Sequence, residues 1–88
     1  MKIWKFGIPI KDSFNLLMPI GAQILSFQIQ NGEPYIWVAV DEHKEYQDRF
    51  FQIHGTGNDI DQYNQLKYIG TVQMKDGKLV WHLFEDIT

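Results

Sequence analysis

The stretch with the clearest chemical potential is His54-Gly55-Thr56, a histidine and a hydroxyl two residues apart. Hydrolysis of a phosphate ester by paired histidines needs two such His-x-Thr units, because one histidine acts as base and the other as acid. The only downstream counterpart is His82-Leu83-Phe84, which has no hydroxyl in its third position. The pattern therefore predicts a strand end and a bend, with no catalytic residues.

Other catalytic and metal-binding sets are missing as well. The chain has no cysteine, which excludes thiol nucleophiles, thiolate metal ligands and disulfides. Ser13 and Ser26 are its only serines, and neither lies in a Gly-x-Ser-x-Gly sequence. Asp59 and Asp61 have the spacing that begins a calcium loop, but the glycine and the distal glutamate of such a loop do not follow. We expect a non-enzymatic protein without metal or cofactor.

The glycines that follow His54 permit a different chemistry. Successive backbone N–H groups in a glycine-rich turn can surround an anion, with the histidine as a neighbouring cation. The candidate ligand-binding residues are His54, Gly55, Thr56, Gly57 and Asn58. No lysine lies in this loop, so it is not a phosphate-binding P-loop. A plain turn and a pocket for a small anionic nucleotide are both left open.

Aromatic side chains are the most informative group in the sequence. A chain of 88 residues cannot enclose all of its six phenylalanines, four tyrosines and three tryptophans, so some must reach the surface. Exposed aromatic patches are typical of interfaces. The candidate partner interface comprises Lys2, Trp4, Lys5, Tyr35 and Trp37. Stacking of single-stranded nucleic acid is a further alternative, but a net charge of −3 disfavours it.

Alternation with period two, the strand period, positions these residues. The predicted strands are Trp4–Ile10, Phe14–Met18, Ala22–Gln30, Tyr35–Val40, Arg49–His54, Leu66–Met74 and Leu79–Glu85. Asn31-Gly32 and Asp76-Gly77 are hairpin turn sequences, since both centres of a type I′ turn need positive φ. We expect one all-β domain over residues 1–88, a small antiparallel meander of six to seven strands forming a barrel or sandwich.

The alternation also assigns side chains to faces of the sheet. It places Leu25, Phe27 and Ile29 on one face of their strand. In the strand Leu66–Met74, one face carries Tyr68, Gly70, Val72 and Met74. The strand Tyr35–Val40 is apolar on both faces, which predicts a central position in the fold. Pro9 lacks an N–H and places the first strand at a sheet edge, where Lys2–Ile10 could pair with a partner's sheet.

Several blocks of this sequence also resemble a known family of small proteins. The blocks are Lys2–Phe6, Ile8–Ile10, Met18–Ala22, Ile24–Ser26, Gln28–Gly32, Trp37–Asp41, Gly55–Gly57, Tyr68–Val72 and Val80–Glu85. They resemble a family of uncharacterised all-β proteins from bacteriophages and prophages. No functional residue is carried over, because the family has no established activity.

The resemblance implies an accessory protein in the host bacterial cytoplasm. Its expected partner is a host or phage protein, most specifically an anti-phage defence protein that it inhibits through an aromatic surface or sheet edge. A homo-oligomer that sequesters a small nucleotide signal is the alternative. We expect no membrane association, because no apolar run approaches the length of a span and no signal peptide is evident.

Overall fold

The chain folds into seven strands and one short helix. A computed structural model describes residues 1–88. In chain order the elements are β1 (Lys2–Gly7), β2 (Ser13–Pro19), β3 (Gln23–Gln30), β4 (Glu33–Val40), β5 (Tyr46–Gly55), a 3₁₀ helix (Tyr63–Gln65), β6 (Leu66–Met74) and β7 (Leu79–Asp86). The all-β prediction is confirmed, and no helix has the length and hydropathy that a transmembrane span requires.

The strands form two separate antiparallel sheets, so the fold is sandwich-like and the predicted barrel alternative is wrong. One sheet has the order β1-β4-β3 and the other has the order β2-β5-β7-β6. Only β3–β4 and β6–β7 are sequential pairs, so the predicted meander is also wrong. The chain changes sheet after β1, β2 and β4 instead. β1 lies at an edge, as Pro9 predicts.

The corner between β2 and β3 shows how the sequence makes one of these changes. Pro19 ends β2, and its carbonyl accepts a hydrogen bond from the N–H of Ala22 at 3.1 Å. Gly21 has a φ of 81°, which a residue without a Cβ adopts at little cost. The turn therefore sends the chain from the four-stranded sheet into the three-stranded sheet.

Both predicted hairpins are confirmed. Asn31 and Gly32 have φ values of 52° and 80° and connect the paired residues Gln30 and Glu33. The β6–β7 hairpin has a longer loop that contains Asp76-Gly77, with Met74 opposite Leu79. Turn chemistry in this chain is thus strong enough to fix local strand pairing.

The molecule is thin, with Cα extents of 40 × 32 × 16 Å. Its core lies between the two sheets, and 14 of the 88 residues are buried. The core cluster contains Ile8, Met18, Ala22, Phe27, Ile36, Val38, Val40, Phe51, Ile53, Val72 and Leu83. A two-layer sandwich this thin leaves each sheet with one outer face that no other layer covers.

Two β-bulges overturn the predicted face assignments. In β3 the register shifts between Ile24 and Ser26, so Ile24 rather than Leu25 packs on the core beside Phe27. In β6 the register shifts between Tyr68 and Gly70, which leaves Tyr68 on the face opposite to Gly70. A bulge adds one residue to a strand and reverses the alternation beyond it.

β4 is the central strand of its sheet, as its apolar character predicts. Its inner residues Ile36, Val38 and Val40 are completely buried. On its other side, Tyr35 and Trp37 are only partly buried, because the three-stranded sheet has no layer outside it. The apolar outer side of β4 is therefore left without a covering layer.

Candidate functional site

The outer surface of the three-stranded sheet carries Ile3 and Lys5 from β1 with Tyr35, Trp37 and Ala39 from β4, and we call it the aromatic face. The antiparallel register places Ile3 opposite Ala39 and Lys5 opposite Trp37. Because alternate residues of a strand share a face, these side chains lie together on the side away from the core. Ile3 is 64 % exposed, although it is a large aliphatic residue in a well-paired strand.

Lys5 contacts residues of both other strands of the sheet on this surface. Its side chain crosses β4, with its Nζ 4.5 Å from the centroid of the Tyr35 ring and 2.8 Å from Oε1 of Gln30, to which it donates. The Tyr35 and Trp37 rings meet edge to face, with centroids 6.0 Å apart. The cation–π contact and the ring pair hold these side chains in place on an exposed surface. The face is therefore pre-organised for contact.

The structure brings together three of the five residues predicted for the partner interface, namely Lys5, Tyr35 and Trp37. Trp4 points the other way, opposite the buried Val38, and packs against the core. Its ring lies 6.3 Å from that of Tyr46. Lys2 lies on the same side as Trp4 and forms an ion pair with Glu42 at 2.9 Å. Neither residue belongs to the aromatic face, because alternate residues of β1 point to opposite sides of the sheet and these two lie on the core side.

The predicted ligand-binding residues lie at the end of β5. The N–H of Asn58 donates to the carbonyl of Gly55 at 3.2 Å, and Gly57 has a φ of 88°. The turn is closed by its own hydrogen bond, so the Asn58 N–H is not directed outward as an anion-binding group. A cavity of about 690 Å³ adjoins the turn and is lined by His54, Gly55 and Asn58, but not by Thr56 or Gly57.

The charges around this turn cavity are mostly negative. Its lining includes Asp12, Asp59 and Asp61 against a single lysine, Lys11. An anionic ligand would meet three carboxylates for one ammonium group, which is unfavourable at short range. The nucleotide pocket stays a prediction. The cavity is large enough for a nucleotide, but its negative charge disfavours an anionic ligand.

The outer surface of the four-stranded sheet has a different character. Phe84 faces outward from β7 yet is only 5 % exposed. The rings of His54, Tyr63 and Tyr68 surround it edge-on, at centroid distances of 5.7, 6.1 and 5.5 Å. Tyr63 comes from the 3₁₀ helix. These rings cover Phe84 outside the main core, while Tyr63 and Tyr68 are themselves exposed.

A chain of hydrogen bonds runs beside this cluster. The Tyr68 hydroxyl lies 2.5 Å from Oγ1 of Thr71, which lies 2.8 Å from Nδ1 of His82. The other ring nitrogen of His82 is 2.7 Å from Oγ1 of Thr56. Both nitrogens of His82 are therefore engaged by hydroxyl groups, and neither is free for a ligand in this arrangement.

The two histidines of the sequence pattern are direct cross-strand partners. His54 lies opposite His82 in the β5–β7 register, and the Nε2 of His54 contacts Oε1 of Gln52 at 2.8 Å. Thr56 contacts His82 and not His54, although His54 is its partner in the His-x-Thr pattern. This pairing follows from the strand order, which the sequence does not reveal. The geometry gives both imidazoles structural contacts.

The comparisons with known proteins place the whole chain in one family. A family model described as a domain of unknown function, DUF7352, matches residues 1–88. The chain belongs to the DUF7352 family. No curated protein and no solved structure matches this DUF7352 domain. The prediction of an uncharacterised family is confirmed, and the family description names neither an activity nor a source.

Proposed function

We propose that this protein is a non-enzymatic binding module that docks onto another protein through its aromatic face. The observation that carries the proposal is an uncovered sheet face on which Ile3 is exposed, Tyr35 and Trp37 contact each other, and Lys5 lies over the Tyr35 ring. Tryptophan and tyrosine are the side chains that most often dominate the energy of protein interfaces. On the opposite outer face the central aromatic residue, Phe84, is already covered, although Phe50, Tyr63 and Tyr68 are exposed there.

The size and charge of the aromatic face define the partner. A molecule of 40 × 32 × 16 Å has broad faces that can accommodate the roughly 800 Å² that each partner buries in a standard interface. Lys5 is the only cation on this face. We infer a partner surface that presents an apolar patch with one carboxylate positioned to meet the Lys5 ammonium group. Two copies of this face would bring two Lys5 side chains together, which makes a second copy the less favourable occupant.

The biological setting is part of the same proposal. The resemblance of the sequence blocks to bacteriophage and prophage proteins supports an accessory role in the cytoplasm of a bacterial host. The target would then be a host protein, with an anti-phage defence protein as the specific candidate for inhibition. The nucleotide and single-strand alternatives have less support, since the turn cavity is acidic and the aromatic face has a single cation.

The test compares two aromatic truncations on opposite faces. Tagged wild-type protein, Trp37→Ala and Phe50→Ala are used to capture proteins from a bacterial lysate, and any candidate partner is then purified for calorimetry. Phe50 is the matched control because it is 56 % exposed and lies on the outer face of the four-stranded sheet. Sedimentation velocity of each variant alone reports self-association, and circular dichroism confirms that each is folded.

The proposal expects a partner whose affinity falls at least tenfold in Trp37→Ala and is unchanged in Phe50→Ala. Lys5→Met should weaken the same complex and reduce its dependence on salt. A partner that is lost only with Phe50→Ala would overturn the proposal. A concentration-dependent dimer that Trp37→Ala dissociates would instead assign the face to a second copy and contradict the proposed partner.

A further inference from the structure

A second cavity lies where the edges of the two sheets approach each other. It has a volume of about 310 Å³, and its lining combines residues of β3 and β6 with Arg49 of β5 and Glu85 of β7. It shares no residue with the turn cavity or with the aromatic face. Small-molecule sites are typically clefts of about 300 to 1,000 Å³ with a few convergent polar groups, so this cavity is at the lower end of that range.

Arg49 and Glu85 form the polar floor of this cavity. The Nε and Nη2 atoms of Arg49 donate to the two carboxylate oxygens of Glu85 at 2.6 and 2.8 Å, and Nη1 donates to the carbonyl of Ala22 at 2.5 Å. Their side chains are 17 % and 12 % exposed. A guanidinium group has five N–H donors, of which these contacts use three. Two donors are left, one on each terminal nitrogen.

Lys67 adds a second cation to the lining. It lies opposite Glu85 in the β6–β7 register, but no carboxylate is within ion-pair distance of its ammonium group. Glu85 is already engaged on both oxygens by Arg49. The charged groups of the lining are Arg49, Lys67 and Glu85, which leaves the cavity with one uncompensated positive charge.

Five of the nine residues that line the cavity are hydrophobic, and two of these come from the two bulges. Leu25 is the extra residue in β3 and Ile69 the extra residue in β6, and both line the cavity together with Ile24. Bulges redirect side chains and occur frequently beside binding sites. The cavity therefore combines positively charged groups with an apolar surface formed by Ile24, Leu25 and Ile69.

We propose that this cavity binds a small organic anion, a carboxylate or phosphate monoester carried on a short apolar body. The anionic head contacts Lys67 and the two free donors of Arg49. The apolar body lies along Ile24, Leu25 and Ile69. This site is independent of the aromatic face and of the partner proposed for it.

The test is a titration of the ¹⁵N-labelled protein followed by two-dimensional NMR. The probes are hexanoate, phenyl phosphate and the uncharged hexanamide. Saturable shifts centred on Leu25, Lys67 and Ile69 are expected with the anionic probes and not with hexanamide. The relative affinities of hexanoate and phenyl phosphate distinguish a carboxylate site from a phosphate site.

Three variants separate binding from folding. Lys67→Met should weaken the anionic probes about tenfold, the loss expected for one charge-assisted contact, while Lys78→Met in the β6–β7 loop should not. Leu25→Trp, at a residue that is 47 % exposed, should fill the cavity and abolish the shifts in a folded protein. Absence of shifts with both anions, equal binding of hexanamide, or unchanged binding in Lys67→Met would each overturn the proposal.

Discussion

The two outer faces of this sandwich use their aromatic residues in opposite ways. On the four-stranded sheet, Phe84 is enclosed by three other rings, and the nearby hydroxyl and imidazole groups hydrogen-bond to one another. On the three-stranded sheet, Tyr35 and Trp37 contact each other and Lys5, and no further element lies over them. Aromatic content alone therefore does not identify a docking surface. What matters is whether other residues of the chain already cover the ring, as they cover Phe84.

The lengths of the loops explain why Phe84 is covered while Tyr35 and Trp37 are not. The long connection between β5 and β6 includes the 3₁₀ helix, and Tyr63 of that helix packs on Phe84. The β3–β4 connection on the other sheet is the two-residue Asn31-Gly32 turn, which is too short to reach back over a sheet. Loop length in this chain thus explains why Phe84 is covered while Tyr35 and Trp37 are not.

The largest expected effect comes from removing Phe84, the covered residue on the outer face of the four-stranded sheet. Phe84→Ala should lower the free energy of unfolding by about 3 kcal/mol, because it deletes a buried ring and leaves a cavity. Phe50→Ala, on the same face but 56 % exposed, should cost less than about 1 kcal/mol. Urea denaturation measures both. Similar losses of unfolding free energy in the two variants would mean that the ring of Phe84 is not enclosed.

The next effect concerns the ion pair on the inner side of the four-stranded sheet. Glu85→Gln should cost about 2 kcal/mol, since it leaves the charge of the half-buried Arg49 without its carboxylate partner. Glu42→Gln is the matched control, because the ion pair of Glu42 with Lys2 is exposed and its loss should shift the denaturation midpoint much less. Equal midpoints for both variants would contradict a structural role for the Arg49–Glu85 pair.

A smaller effect is expected from the hydrogen-bond chain beside Phe84. Thr71→Val keeps the shape of the side chain but removes the hydroxyl that joins Tyr68 to His82. The free energy of unfolding should fall by about 1 kcal/mol, the typical net value of such a contact. Ser26→Ala on the other outer face serves as the control, since no side-chain hydrogen bond of Ser26 exists in the structure. A neutral Thr71→Val variant would show that this face is not held by its polar groups.

On the aromatic face, a substitution should weaken partner binding without changing the stability of the fold. Ile3→Thr retains a β-branched side chain and should change the free energy of unfolding by no more than about 0.5 kcal/mol. It should nevertheless weaken the proposed complex, because Ile3 supplies exposed apolar area at the docking surface. Denaturation together with calorimetry of the purified complex measures both quantities. A variant that binds normally would restrict the docking surface to Tyr35 and Trp37.

The smallest effect concerns the side of β1 that faces away from the aromatic face. The hydrogen bond from Lys2 holds the pKa of Glu42 below its usual value. Because the folded-state pKa is lowered, the stabilisation is present above the usual pKa and is lost as the pH falls through the lowered value. Lys2→Met should raise the pKa of Glu42 in a carboxyl ¹³C NMR titration. Asp86, whose pKa is lowered by the hydroxyl and N–H of Thr88, should titrate as before.

The sequence predicts the strands and hairpins well because alternation and turn residues are local signals. It predicts Lys5, Tyr35 and Trp37 as interface residues, and the register places them together. It fails at Leu25 and Tyr68, where bulges reverse the alternation without a local residue signature. The cavity beside Arg49 depends on those bulges and on strand order, so alternation could not reveal it.

Site-specific photo-crosslinking tests the central proposal most directly. The photoreactive residue p-benzoylphenylalanine is incorporated at position 37 on the aromatic face or at position 50 on the opposite face, and the protein is irradiated in a bacterial lysate. Mass spectrometry of the conjugates should identify one protein bound at position 37 and absent at position 50, and the attachment point should lie beside a carboxylate. Crosslinks from position 50 alone, or none from either position, would contradict the assignment of the aromatic face as the docking surface.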